Sequence, residues 1–263
     1  MTANPFLPVS LVGYVLAIVA VTLRTVYRAD AARRVASTCF VATWLVHLGG
    51  IVHEALRVGR VPPTTGAEYL LLLGWVVLSL HLLLWFRANV ELSGLLLAPL
   101  AGVLCLAAMQ WLGASAPRTE RAVDGWFLVH TSISTIGMAT LCVAFAMSVL
   151  YLVQDHALKT KRTLALLARL PSLERSDQLG HRALLVGFVL LTLGIAAGVV
   201  VIAEARARPV VVGAKLILPL LAWVVFAAIL VARASFGFRG RKAAVLTITG
   251  FVLGLATVVG MTL

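Results

Sequence analysis

Carboxylates are scarce in this 263-residue chain: ten Asp and Glu stand against 22 Lys and Arg, and only 12% of all residues are charged. A soluble domain carries roughly 25% charged and 45–50% apolar residues. At 61% apolar and a mean hydropathy of +1.03, the chain is excluded from that class. With so few acids there is no buried carboxylate pair and no Asp/His chain of the kind that relays protons, which argues against an ion-coupled transporter. Glu54, Glu68 and Glu204 fall at helix ends instead. Cysteine is equally thin, and Cys39, Cys105 and Cys142 each stand alone inside an apolar run with no CxxC or CxxCH spacing. That excludes thiol redox chemistry and thioether attachment of a cofactor.

What is present is a series of long apolar runs: Phe6–Tyr27, Val35–Leu56, Tyr69–Phe86, Leu92–Leu112, Trp126–Gln154, His181–Ala203, Val210–Ala232 and Ala243–Leu263. Each approaches or exceeds the ~20 residues needed to cross a bilayer as a helix. None alternates as a barrel strand would, and an unpaired backbone amide in hydrocarbon costs several kcal/mol, so all eight are expected to be helices. The expectation is an all-α polytopic membrane protein, an eight-helix bundle forming a single domain over residues 1–263. The first run has no basic segment before it and no small-residue cleavage site after it, so it reads as a retained helix.

Assigning the connections alternately to the two sides puts fifteen Lys and Arg on one side and seven on the other. The richer side is expected in the cytoplasm, with both termini outward. The net charge of +12 is thereby explained as a topological signal, and nucleic acid is not expected as a partner. The longest polar segment, His156 to Gly180, holds the basic stretch KTKRTLALLARL. It reads either as a solvated connector or as a surface helix that docks a partner. There is no internal repeat of the inverted kind and no low-complexity tract.

Ionisable groups inside hydrocarbon point to function or to a specific partner, which leaves the six histidines as the natural candidates. His53 and His130 are expected in the outward half. His47 lies six residues before His53, about 9 Å along the axis and about 600° of turn away, so the two occupy different faces. His81, His156 and His181 fall in the inward half, the last two at water level. Two imidazoles from different helices can clamp the iron of a planar cofactor, and His130 with His47 or His53 is the outward pair on offer. The bland alternative is that each is an interhelical hydrogen-bonding contact. Trp111, Trp126 and Phe127, with Trp75 deeper, read as an interfacial band or, for Trp126, as a stacking surface for a porphyrin. Gly194 and Gly198 form a small-xxx-small pair that marks close helix packing.

Several segments carry a resemblance. WFLVHTSISTIG from Trp126, continuing to YLVQDHALK, is similar to the histidine-bearing helix of cytochrome c assembly proteins of the CcsA/ResC type. LPSLERSDQLGHRALLVGFVLLTLGI, Leu170 to Ile195, resembles the HemX-like branch of that family more closely, as does the ending FGFRGRKAA, GFVLG and VVGMTL. Arg57, Gly59, Pro62 and Glu68 fall in the family's connection between helices 2 and 3. The resemblance implies a multi-pass protein of the bacterial cytoplasmic membrane that holds haem near the outer face, non-covalently and b-type, with His130 matching the first outward histidine.

The family pattern is also broken in places. The tryptophan-rich loop, of the form RYWxWDPK, would fall at Arg208 to Lys215, where this chain reads RPVVVGAK; Arg208, Lys215 and Trp223 keep the spacing, but the aromatic residues and the Asp are gone. The family's histidine near the inner end of helix 7 falls at Val231, and the second outward histidine would fall beyond Leu263. Handing haem to an apoprotein needs an exposed aromatic platform, whereas holding haem needs only ligands and an apolar slot. The resemblance therefore implies a protein that binds or passes haem in cytochrome c biogenesis rather than a terminal haem lyase. His130, His47, His53 and Trp126 are the expected cofactor-binding residues, with His130 and His47 on the metal. Besides the lipid bilayer, the expected partners are an assembly membrane protein or an enzyme of haem synthesis. The competing readings are a cofactor-free accessory subunit and a small-molecule permease, the latter weakened by the shortage of polar side chains at mid-bilayer.

Overall fold

The structure is a computed structural model and describes residues 4–27, 30–60, 63–112, 125–160, 171–204 and 214–262. Eight α-helices account for nearly all of them: α1 (Phe6–Tyr27), α2 (Asp30–Val58), α3 (Gly66–Ala88), α4 (Gly94–Trp111), α5 (Gly125–Lys159), α6 (Leu173–Glu204), α7 (Ala214–Phe236) and α8 (Arg241–Thr262). A 3-10 turn at Glu91–Ser93 precedes α4. Each helix coincides with most of one apolar run, and among the described residues there is no strand. By length and composition α1 to α7 are able to cross a membrane. Their lipid-facing surfaces stay apolar, as the exposed Val15, Val103, Val189, Val224 and Val231 show.

The helix ends differ from the hydropathy boundaries where polar residues continue a helix past the apolar run. α6 begins at Leu173, eight residues before His181, because the ERSDQLG segment is helical although too polar to read as membrane. His181 is therefore two turns inside a helix. α2 likewise starts at Asp30. The connections holding Arg28, Pro62, Arg118, Arg121, Lys161, Arg162, Arg169, Arg206 and Arg208, and with them the basic stretch and most of the degenerate loop, lie outside the described residues.

The chain packs as two compact units. The first comprises residues 1–116 and 154–172, hence α1 to α4. α1 and α2 pack through small residues: a Cβ on Gly13 would meet Thr43 Oγ1 at 2.5 Å, and one on Gly50 would meet Leu7 at 2.6 Å. Close backbone approach at glycine is the usual means of packing helices in lipid, where no hydrophobic drive separates helix from solvent. α3 opens with a capping box, Thr65 Oγ1 accepting from Glu68 N–H while Glu68 accepts from the backbone of Thr65. It closes on Asn89 in the left-handed region, φ 53°, which turns the chain into the 3-10 segment.

The second unit comprises residues 117–153 and 173–263, hence most of α5 with α6 to α8. Its organising feature is a glycine ridge on α6. Built Cβ atoms would meet Met147 from Gly180, Leu141 from Gly187, Ser134 from Gly194 and His130 from Gly198, all on α5. The Gly194/Gly198 pair expected to mark close packing is thus the outer end of a longer ridge. α7 and α8 meet where Gly250 lies under the Phe226 ring, and Phe145 of α5 stacks on Phe251 of α8 at 4.5 Å.

Candidate cofactor-binding site

His130 sits in the second turn of α5, against the glycine ridge. Its Nδ1 lies 2.7 Å from the carbonyl oxygen of Gly194. A carbonyl only accepts, so Nδ1 carries the proton and Nε2 of the neutral ring keeps a bare lone pair. That is the arrangement a metal-ligating imidazole needs: one nitrogen fixed as donor to a backbone carbonyl, the other a more basic ligand held in a set direction. Glycine at 198 makes the seat, since a Cβ there would stand 3.0 Å from Cε1 and 3.1 Å from Nδ1 of the ring. Trp126 lies four residues earlier on α5, hence on the same side of the helix, and its indole is 46% exposed.

The other two expected ligands belong to the first unit. His47 is fully buried, its Nδ1 2.9 Å from the Tyr14 hydroxyl of α1. Its Nε2 is buried without a hydrogen-bond partner among the described residues. His53, half-buried near the end of α2, packs its ring against Phe6 at 5.9 Å, and its buried Nδ1 also has no hydrogen-bond partner among the described residues. A buried imidazole nitrogen left without a partner costs about 1–3 kcal/mol, so each such atom is a place where a ligand would be stabilising.

The remaining histidines sort differently. His81 is fully buried, with Nδ1 2.9 Å from Ser93 Oγ, whose hydroxyl donates onward to the Val90 carbonyl. Phe40 and Trp85 box its ring, and a Cβ on Gly94 would stand 2.9 Å from Nε2, so it is a corner piece of the α3 to α4 turn. His156 is exposed. His181 differs from it in that its Nδ1 is buried and unpartnered among the described residues. Among the described residues there is no group of three or more His, Cys, Asp or Glu able to hold a metal ion, so any metal would depend on one or two imidazoles and a ligand of its own.

A charged cluster at the end of α2 and the start of α3 carries a signal in the sequence that hydropathy alone passes over. Glu54 and Glu68 are 2% and 3% exposed, yet each is paired with an arginine. Arg57 forks onto both oxygens of Glu54, and Arg60 onto both oxygens of Glu68 at 3.0 and 2.9 Å. Thr64 N–H adds a bond to Glu68 at 2.6 Å. The signals were available: a Glu three residues before an Arg, and the T-x-x-E of a capping box. Trp75, grouped with the interfacial aromatics, instead stacks on Trp44 at 5.1 Å, and Trp44 donates to Ser79.

A family model described as Cytochrome C assembly protein matches residues 65–262, about three quarters of the chain. The chain belongs to the cytochrome c assembly protein family. Among its relatives is the cytochrome c biogenesis protein CcsA of Microcystis aeruginosa, 28% identical over 79% of this chain and 78% of the relative. The CcsA of Guillardia theta is 29% identical over 74% and 71%, and that of Thermosynechococcus vestitus 29% over 73% of each. The matched region of this assembly protein runs from the capping box of α3 to the end of α8, so it contains both His130 and the glycine ridge that seats it.

Proposed function

We propose that this chain handles haem in cytochrome c assembly, binding it non-covalently near the outer ends of its helices with His130 as an axial ligand. The observation that carries the reading is the 2.7 Å bond from His130 Nδ1 to the Gly194 carbonyl, which fixes the tautomer that leaves Nε2 for iron. Trp126, exposed on the same side of α5, offers an indole to cover a porphyrin face. His47 and His53 are the candidates for a second imidazole, on the strength of their unpartnered nitrogens. When bound, the haem would supply the iron-porphyrin group that cytochrome maturation consumes; the protein's part is to ligate, orient and shield it. Lone, non-CxxC cysteines agree with non-covalent holding. A multi-pass chain of this family is placed by the reading in the bacterial cytoplasmic membrane beside a second assembly membrane protein.

The test is a haem titration of the detergent-purified protein followed at the Soret band. The wild type is expected to bind one haem, and His130→Ala to bind it at least tenfold more weakly. His47→Ala and His53→Ala, measured separately, identify the second ligand as whichever lowers affinity. Equal binding by wild type and His130→Ala would overturn the assignment.

A further inference from the structure

The second unit contains a polar cleft that the haem reading leaves unused. It opens where the end of α5, the start of α6, the end of α7 and the start of α8 come together, with about 340 Å³ of empty space including its mouth. In a bundle whose faces are otherwise apolar, its walls carry Tyr151, Ser176, Asp177, His181 and Arg233. Small residues make the room: Ala243 and Ala244 on one wall, Gly180 on another, and Gly240 at the turn into α8. Gly240 has φ 74°, and a Cβ there would stand 3.0 Å from the Tyr151 hydroxyl.

The charges in the cleft are arranged for an anion. Asp177 is occupied on both oxygens, by Arg233 Nη1 at 3.0 Å and Nη2 at 2.5 Å, and it stands near the Gly240 backbone. It holds the guanidinium and the turn in place and has little capacity left for a cation. Arg233 keeps its Nε–H and the outer hydrogens of both terminal nitrogens. Its side chain is only 11% exposed, so those donors cannot all be satisfied by bulk water. Arg239 is close enough to act electrostatically on both Asp177 and His181. Asp177 is the sole carboxylate among the lining residues and is balanced by Arg233, so the positive charge of Arg239 beside the cleft is left over. His181 Nδ1 is buried with no partner among the described residues, and Tyr151 lines the same cleft. Unpartnered polar groups inside a helical bundle each cost about 1–3 kcal/mol, which a bound oxyanion would recover.

We propose that this cleft binds a phosphate group, through Arg233, Tyr151 and His181, with Asp177 as the positioning residue. On this proposal the helix ends that form it sit at head-group depth, on the side where Arg239, Arg241 and Lys242 gather. A lipid phosphate and free inorganic phosphate therefore both reach it. The inference is independent of haem.

The experiment is thermal unfolding of the full chain in a maltoside detergent, read with a thiol-reactive dye at the buried Cys105 and Cys142. Sodium phosphate is compared with sodium chloride at matched ionic strength, and short-chain phosphatidic acid is added in a separate arm. Saturating probe is expected to raise the midpoint by a few degrees in the wild type. The shift should vanish in Arg233→Gln and His181→Ala and require about tenfold more probe in Tyr151→Phe, while Arg33→Gln, a basic residue of the first unit, retains it. Tyr151→Phe and His181→Ala leave the Asp177–Arg233 pair intact, so they decide the matter if Arg233→Gln does not fold. A shift from phosphate identifies free anion as a ligand, and a shift from phosphatidic acid alone identifies the head group. No shift with either probe, or an equal shift in all variants, overturns the proposal.

Discussion

Gly198→Ala separates the seat of His130 from the stability of the fold. A Cβ at 198 would stand 3.0 Å from Cε1 and 3.1 Å from Nδ1 of the imidazole, a few tenths of an ångström inside ordinary contact. The ring must shift by that amount, and the 2.7 Å bond to Gly194, one turn away, lengthens with it. Losing a supporting hydrogen bond of this kind lowers metal affinity about 10–100-fold. Global stability should change little, because alanine recovers about 1 kcal/mol of helix propensity over glycine while overpacking costs about 1–3 kcal/mol. The assay is the same haem titration run beside thermal unfolding. Gly102→Ala serves as control, since its Cβ would meet Tyr14 at an ordinary 3.6 Å. Expected is a haem affinity reduced at least tenfold in Gly198→Ala and unchanged in Gly102→Ala, with both midpoints near wild type. Haem affinity unchanged in a folded Gly198→Ala protein would refute the claim that the ridge orients the ligand.

Other substitutions probe the packing around this arrangement. Gly250→Ala would put a Cβ 2.6 Å from the rigid Phe226 ring and should destabilise the second unit by about 1–3 kcal/mol, read as a lowered unfolding midpoint. Glu68→Ala strips Arg60 and the α3 cap of their shared carboxylate, and a loss of about 1–3 kcal/mol is expected by the same measurement. Tyr14→Phe leaves both nitrogens of His47 without partners and should lower the midpoint by an amount corresponding to about 1–3 kcal/mol; no change would mean that the pair is energetically idle.

Much of the architecture was legible because lipid imposes one rule: a long apolar run must be a helix. All eight runs became helices. What hydropathy could not locate were ends set by polar residues, such as the eight residues of α6 before His181, and the 3-10 turn that Asn89 introduces. At the site, His130 stood out as an ionisable residue in an apolar helix. Its partner did not, because the Gly194 carbonyl is 64 residues away and carries no side-chain signal. Gly194 and Gly198 were read correctly as packing residues, but only coordinates connect the second of them to an imidazole. The same separation hid the bond between His47 and Tyr14, 33 residues apart, and the burial of Glu54 and Glu68, whose charges mark them as surface residues by composition alone.

The most direct test of the haem assignment is chemical rescue. His130→Gly removes the imidazole and leaves a gap against α6, and imidazole added to the haem-supplemented, purified variant should restore the Soret band toward wild-type intensity. A His130→Gly protein that binds haem as well as wild type without imidazole, or a folded one whose spectrum imidazole leaves unaltered, would contradict ligation by this residue.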